Sequence, residues 1–257
     1  MLLRALLLPT AALLLPTVSA IFVDDAFKVD FHHALLGFPQ QQTTFFHSPY
    51  AGNKASLIYT LSEKNVLGAV NPKDGSIVWR QHLSSGNATE ALLRAGDAQD
   101  TVVSAAGNEV SAWSASDGRL VWSNRLGSGG IRDLEILELP QVTEGPKDAI
   151  ALWAGQSPVV RRLDGKTGEV QWQFEDDSGD TPLQVSASAT DVFYVSLHGG
   201  MMGGASVRVA TLDPTTGKKI NVQSVNTASE VSSADDILFV GQNSATPILA
   251  WNDEKHT

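Results

Sequence analysis

Four segments of the chain repeat one design, and this repetition limits the possible folds more than any other feature. They span 70–79, 113–122, 163–172 and 212–221. Each runs from an apolar residue through a polar turn to a glycine, and then into a strand-like run. The glycines are Gly75, Gly118, Gly168 and Gly217, spaced 43, 50 and 49 residues apart. A tryptophan stands four residues after the first three: Trp79, Trp122 and Trp172. After Gly217 that place is taken by Asn221.

The unit reads as a β-hairpin. Glycine supplies the positive φ of a tight turn, where a Cβ would clash. Asp, Asn and Thr side chains ahead of it can bond the turn backbone. The tryptophan on the following strand is a wide flat ring able to fill the gap where two twisted sheets splay apart. Two more strand-like runs precede each glycine: 55–61 and 64–70, 101–105 and 109–113, 149–153 and 159–163, 192–197 and 206–212. With the strand after the glycine and one outer strand, each unit holds about four antiparallel strands. A period of ~40–50 residues with four strands per period indicates a β-propeller. The fold expected is all-β, with about four complete blades. A fifth begins at 237–240 and 246–251, and His256 stands where its glycine would fall. The ring is therefore expected to be incomplete, with this chain an N-terminal piece of a longer protein or the product of a truncated gene model. An open sheet edge and an uncovered blade face would make such a piece poorly stable alone.

Composition narrows the function. The net charge of -10 and pI near 4.9 argue against nucleic acid, which is bound by clustered Lys and Arg. The absence of cysteine excludes disulfides, thiolate zinc sites and thiol catalysis. Residues 1–4 form a short basic region and 5–15 an apolar run. Val18 and Ala20 occupy the small-residue positions of a cleavage site. This is the pattern of a secretory signal peptide over 1–20, cut between Ala20 and Ile21. The run is too short to span a bilayer, and Pro9 and Pro16 interrupt it. The mature region 21–257 is read as propeller throughout, with no membrane span. Asn87-Ala88-Thr89 is the sole glycosylation sequon.

The Gly-x-x-x-Trp units resemble the PQQ-like, or quinoprotein-type, propeller repeat over about 40–257. The segment after the signal narrows the resemblance. Asp24-Asp25, Lys28-Val29-Asp30 and Phe31 are similar to an E-D-Q-x-G-K-x-D-W-like stretch, with Phe27 in place of its glycine. That stretch opens the subunit 1 family of the endoplasmic reticulum membrane protein complex. The resemblance implies a luminal propeller region in a protein with a C-terminal transmembrane helix. It implies a complex that inserts tail-anchored and multipass clients into the membrane. The role implied here is a non-catalytic scaffold whose partners are the other subunits, with no cofactor, in the endoplasmic reticulum lumen.

A quinoprotein dehydrogenase would hold PQQ and Ca²⁺ through converging carboxylates. Asp25, Glu135, Glu138, Asp176 and Asp177 follow no ligand pattern, and the vicinal cysteine pair of such alcohol dehydrogenases is missing. Neighbouring His32 and His33 point to opposite faces of an extended segment, which suits one metal ion poorly. Glu175-Asp176-Asp177 with Asp180 has Ca²⁺-loop composition without D-x-D-x-D-G order. The 199–204 Gly-Gly-Met-Met-Gly-Gly run reads as a hairpin tip, with a partner-binding loop as the alternative. Trp79, Trp113, Trp122, Trp153, Trp172 and Trp251 all sit in repeat or strand positions, where packing accounts for them. Two rival classes remain: a luminal stress-sensor propeller and a periplasmic propeller, either quinoprotein or outer-membrane-assembly scaffold.

Overall fold

The computed structural model describes residues 35–48, 56–83, 91–125, 127, 129–142, 145–199 and 206–226, and the backbone of two strands at 237–240 and 248–251. The signal and its cleavage site at Ala20 and Ile21, Asp25, His32-His33, Asn87, residues 200–204 and His256 lie outside the described residues.

The first blade contains β1 (Pro39–His47), β2 (Leu57–Ser62), β3 (Val66–Val70) and β4 (Ile77–His82). The second contains β5 (Leu92–Arg94), β6 (Thr101–Ala106), β7 (Glu109–Ser114) and β8 (Leu120–Arg125). The third contains β9 (Gly130–Leu137), β10 (Asp148–Ala154), β11 (Val159–Leu163) and β12 (Val170–Glu175). The fourth contains β13 (Thr181–Ala187), β14 (Val192–His198), β15 (Ser206–Leu212) and β16 (Lys219–Asn226). In each sheet the strands pair antiparallel in chain order. A two-stranded hairpin follows, β17 (Ile237–Val240) with β18 (Ile248–Trp251). The architecture is the one the repeats predict: four complete blades and the opening strands of a fifth. The strand expected at the outside of each blade comes first in the chain and lies instead on the side where successive blades converge.

Hydrophobicity follows strand position. The second strands are sandwiched between neighbouring sheets, so both of their faces are apolar or small; all six residues of β6 are buried. In β4, β8 and β12 a single residue is buried, and in each it is the tryptophan. The strands alternate between seams: Val102 packs toward the first blade and Val103 toward the third. Among the described residues the core is divided into three seams, one between each pair of successive complete blades.

The third and fourth strands of each blade join through one turn geometry. The glycine amide donates to the carbonyl four residues back, as in Gly168 N to Asp164 O at 2.8 Å. The amide of Asp164 returns a bond to Glu169 O, also at 2.8 Å. Gly75, Gly118, Gly168 and Gly217 sit at φ of 68°, 70°, 73° and 70°. Asp164 Oδ1 accepts from the amides of Lys166 and Thr167, and Asp213 Oδ1 from those of Thr215 and Thr216. Each hairpin carries a register shift beside the turn, which lets the following strand twist away and, in the first three blades, aim its tryptophan outward from its own sheet.

Candidate functional site

The repeat residues meet across the seams. Trp79 Nε1 donates to Ala115 O of the second blade at 2.9 Å, Trp122 Nε1 to Gly165 O of the third at 2.9 Å, and Trp172 Nε1 to Pro214 O of the fourth at 2.8 Å. Each ring also lies flat on the next blade's turn glycine. A Cβ on Gly118 would stand 2.5 Å from the Trp79 ring, one on Gly168 2.5 Å from Trp122, and one on Gly217 2.6 Å from Trp172. The glycine therefore has two reasons to lack a side chain: its positive φ and the ring above it.

Polar groups reinforce these joints. Gln81 Nε2 donates to Gly118 O at 2.8 Å, and Asn124 Nδ2 to Gly168 O at 2.7 Å. The equivalent residue of the third blade is Phe174, and Lys219 Nζ lies 6.0 Å from its ring centre. Two of the tryptophan acceptors receive a second donor. Tyr59 Oη reaches Ala115 O at 2.8 Å, and Arg162 Nη1 reaches Pro214 O at 2.7 Å. Burial pushes the Tyr59 phenol far above its ordinary value, so it stays a donor. Asp148 holds Arg162 Nε at 2.6 Å and the Gly165 amide at 2.8 Å. In the fourth blade Asn221 is exposed and its side chain turns back to the amide of Val222. The tryptophan joint is absent there.

A cleft of about 620 Å³ opens where the first strands of the blades converge. Gln40, Gln42 and Thr43 reach it from β1, Arg94 from β5, Arg132 and Asp133 from β9, and Gln184 from β13. Arg94 stands 3.8 Å from Asp133 and 3.7 Å from Glu135. Burial pushes both carboxyls up, against the pull of Arg94; Glu135 is raised to about 7.

The acidic residues singled out by sequence are dispersed. Glu135 lies beside Arg94. Glu138 pairs with the buried Lys147 at 2.6 Å in the seam between the second and third blades. Asp176 accepts from Ser178 N and Tyr194 Oη. Asp180 bonds His198 Nδ1 at 2.7 Å and Arg208 Nη1 at 3.0 Å. Burial opposes ionisation of Asp180, but His198 and Arg208 outweigh it and hold the carboxyl below its ordinary value. Among the described residues no three His, Asp or Glu side chains gather as a metal site. Trp113 Nε1 donates to Ser104 Oγ at 2.8 Å, and Trp153 is buried with the Arg161 guanidinium 4.8 Å from its ring centre. Sequence reasoning missed Tyr59, Arg162, Arg94 and the cleft. Only the Gln81/Asn124 pair, two residues past each tryptophan, carried a readable signal.

Four-stranded sheets stacked through tryptophan-on-glycine joints define a β-propeller of the Gly-x-x-x-Trp repeat class. Within that class, the chain belongs to the EMC1 N-terminal beta-propeller domain family, whose sequence profile matches residues 20–257. No curated protein sequence matches it detectably. Among solved structures it is similar to the Cps50 (Swd1) β-propeller domain of Myceliophteria thermophila. The TM-score is 0.55 at 12% identity, covering 79% of this chain and 61% of that one. It also matches BamB from Moraxella catarrhalis, with TM-score 0.47 and 16% identity over 72% of this chain and 50% of that one. A third match is the quinohemoprotein alcohol dehydrogenase of Comamonas testosteroni, with TM-score 0.48 and 14% identity over 72% of this chain and 36% of that one. The chain thus spans about half the length of BamB and little more than a third of the dehydrogenase. At these identities the likeness is one of fold alone.

Proposed function

We propose that this chain is the N-terminal propeller region of a scaffold subunit of the endoplasmic reticulum membrane protein complex. Residues 1–20 serve as its signal peptide, 21–257 face the lumen, and Asn87 is a glycan acceptor. Its partners are the other subunits of the complex, and its clients are transmembrane helices served indirectly. The observation that carries this reading is the family match over 20–257. The distribution of polar groups supports the non-catalytic part. The tryptophan indoles, Tyr59, Arg162 and Glu138 bond to a neighbouring blade, and Asp148 and Lys147 hold Arg162 and Glu138 in place, as a rigid platform requires.

Cells depleted of the protein test it. They should insert a reporter tail-anchored helix poorly, and wild-type protein should restore insertion. Glu135→Gln, Glu138→Gln and Asp176→Asn variants that accumulate normally should restore it equally well. Unimpaired insertion after depletion contradicts the scaffold role. A carboxylate variant that accumulates but fails to rescue contradicts the non-catalytic one.

A further inference from the structure

The cleft at the convergence of the blades is unbalanced in its hydrogen bonding. Among its polar side chains the one anion is Asp133, and both of its oxygens are occupied. Oδ1 accepts from Leu134 N at 2.9 Å and Oδ2 from Val185 N at 2.9 Å. The donors are not all committed. Arg94 Nη1 donates to Leu93 O at 3.1 Å, and its other nitrogens stand 3.8 and 3.7 Å from Asp133 and Glu135, as ion pairs longer than a hydrogen bond. Arg132 is exposed on the cleft wall and forms no hydrogen bond or ion pair among the described residues. Gln184 Nε2 is enclosed and has no acceptor. An enclosed donor without a partner is costly, and native structures rarely keep one without a use.

We propose that this cleft binds an extended peptide segment bearing a carboxylate. The carboxylate lies between Arg94 and Arg132, and a neighbouring main-chain carbonyl takes the Gln184 amide. Three features select this ligand. The planar guanidinium fork matches a carboxylate. A space of about 620 Å³ falls in the range of sites for ligands much larger than a lone small anion. The donors come from three different blades, so the ligand must present acceptors along its length, as a peptide does. The net charge of -10 disfavours a polyanion such as nucleic acid, while one carboxylate on a neutral backbone meets only the local field.

The test is isothermal titration calorimetry of the full-length protein, purified in mild detergent. The probe is an N-acetylated, C-amidated Gly-Ser-Glu-Ser-Gly peptide, titrated to millimolar concentration, with versions carrying glutamine or phosphoserine in the central place. The glutamate peptide should saturate and bind at least tenfold more tightly than the glutamine peptide. Arg132→Gln should lower that affinity at least tenfold with an unchanged melting temperature, and Arg132→Lys should lower it less. Gln42→Ala, on the facing exposed strand, gives a second variant should Arg132→Gln alter folding, and should weaken binding several-fold. Absent saturation, equal affinity for the glutamate and glutamine peptides, or indifference to both substitutions would overturn the assignment. Tenfold tighter binding of the phosphoserine peptide would also overturn it, in favour of a phosphorylated ligand. Membership of the membrane complex is a separate matter that this titration does not read.

Discussion

Trp122 divides its loyalty between two blades. Its backbone belongs to β8, yet its ring covers Gly168 and its indole N–H is spent on Gly165 O, both in the next blade's turn. Trp122→Ala should therefore remove apolar contact and leave a seam cavity, costing about 3–5 kcal/mol in chemical denaturation. Gly168→Ala places a Cβ against the same ring as well as in the left-handed region, where a side chain costs about 1–2 kcal/mol by itself. The double variant separates the two costs. Once the ring is gone, Gly168→Ala should cost little more than its backbone strain, so the two changes should be clearly less than additive. Additivity within about 0.5 kcal/mol would mean that the ring does not seat on the glycine. The spacing of Gly and Trp was legible in sequence because a hairpin encodes it locally. That the ring serves the next blade was not, because the contact bridges 43 residues from Trp122 to Gly165.

Among the elements, the strands that sequence located well are those with an apolar, β-branched register. The runs at 159–163, 206–212 and 237–240 coincide with the observed strands. The first strand of each blade was not placed, for physical reasons. β1 is rich in Gln and Thr, β5 has only three residues, and β9 lines the cleft with Arg132 and Asp133 and carries Glu135 two residues on. A strand beside a polar cleft loses the alternation that reveals it. Glu135 shows the energetic consequence. Its folded value of about 7 stands above the ordinary 4.5. Between those values the folded chain holds a proton that the unfolded chain has released. Stability therefore falls as pH rises through that window, and stays lowered above it. Glu135→Gln cannot lose a proton. It should melt like wild type near pH 5 and be more stable at pH 8, by on the order of 1–3 kcal/mol. A difference between the two proteins that does not change from pH 5 to pH 8 would refute this.

At the level of the whole molecule, apolar burial among the described residues is shared among three seams instead of one centre. Each blade is held by its neighbours, as in other repeat architectures. Such a design yields broad, stiff surfaces and few mobile parts, which suits a part that positions others. The propeller itself was readable from the period of the repeat. The partners were not, because repeat residues are consumed by the fold and carry no record of what the outer surface meets. The account rests on this chain acting as an assembled scaffold. The most direct test is to tag the protein in its native cell, purify it in mild detergent and quantify what accompanies it. The account predicts several membrane-embedded subunits in one fixed ratio across preparations. Recovery of the protein alone, or with companions in varying ratio, would contradict it.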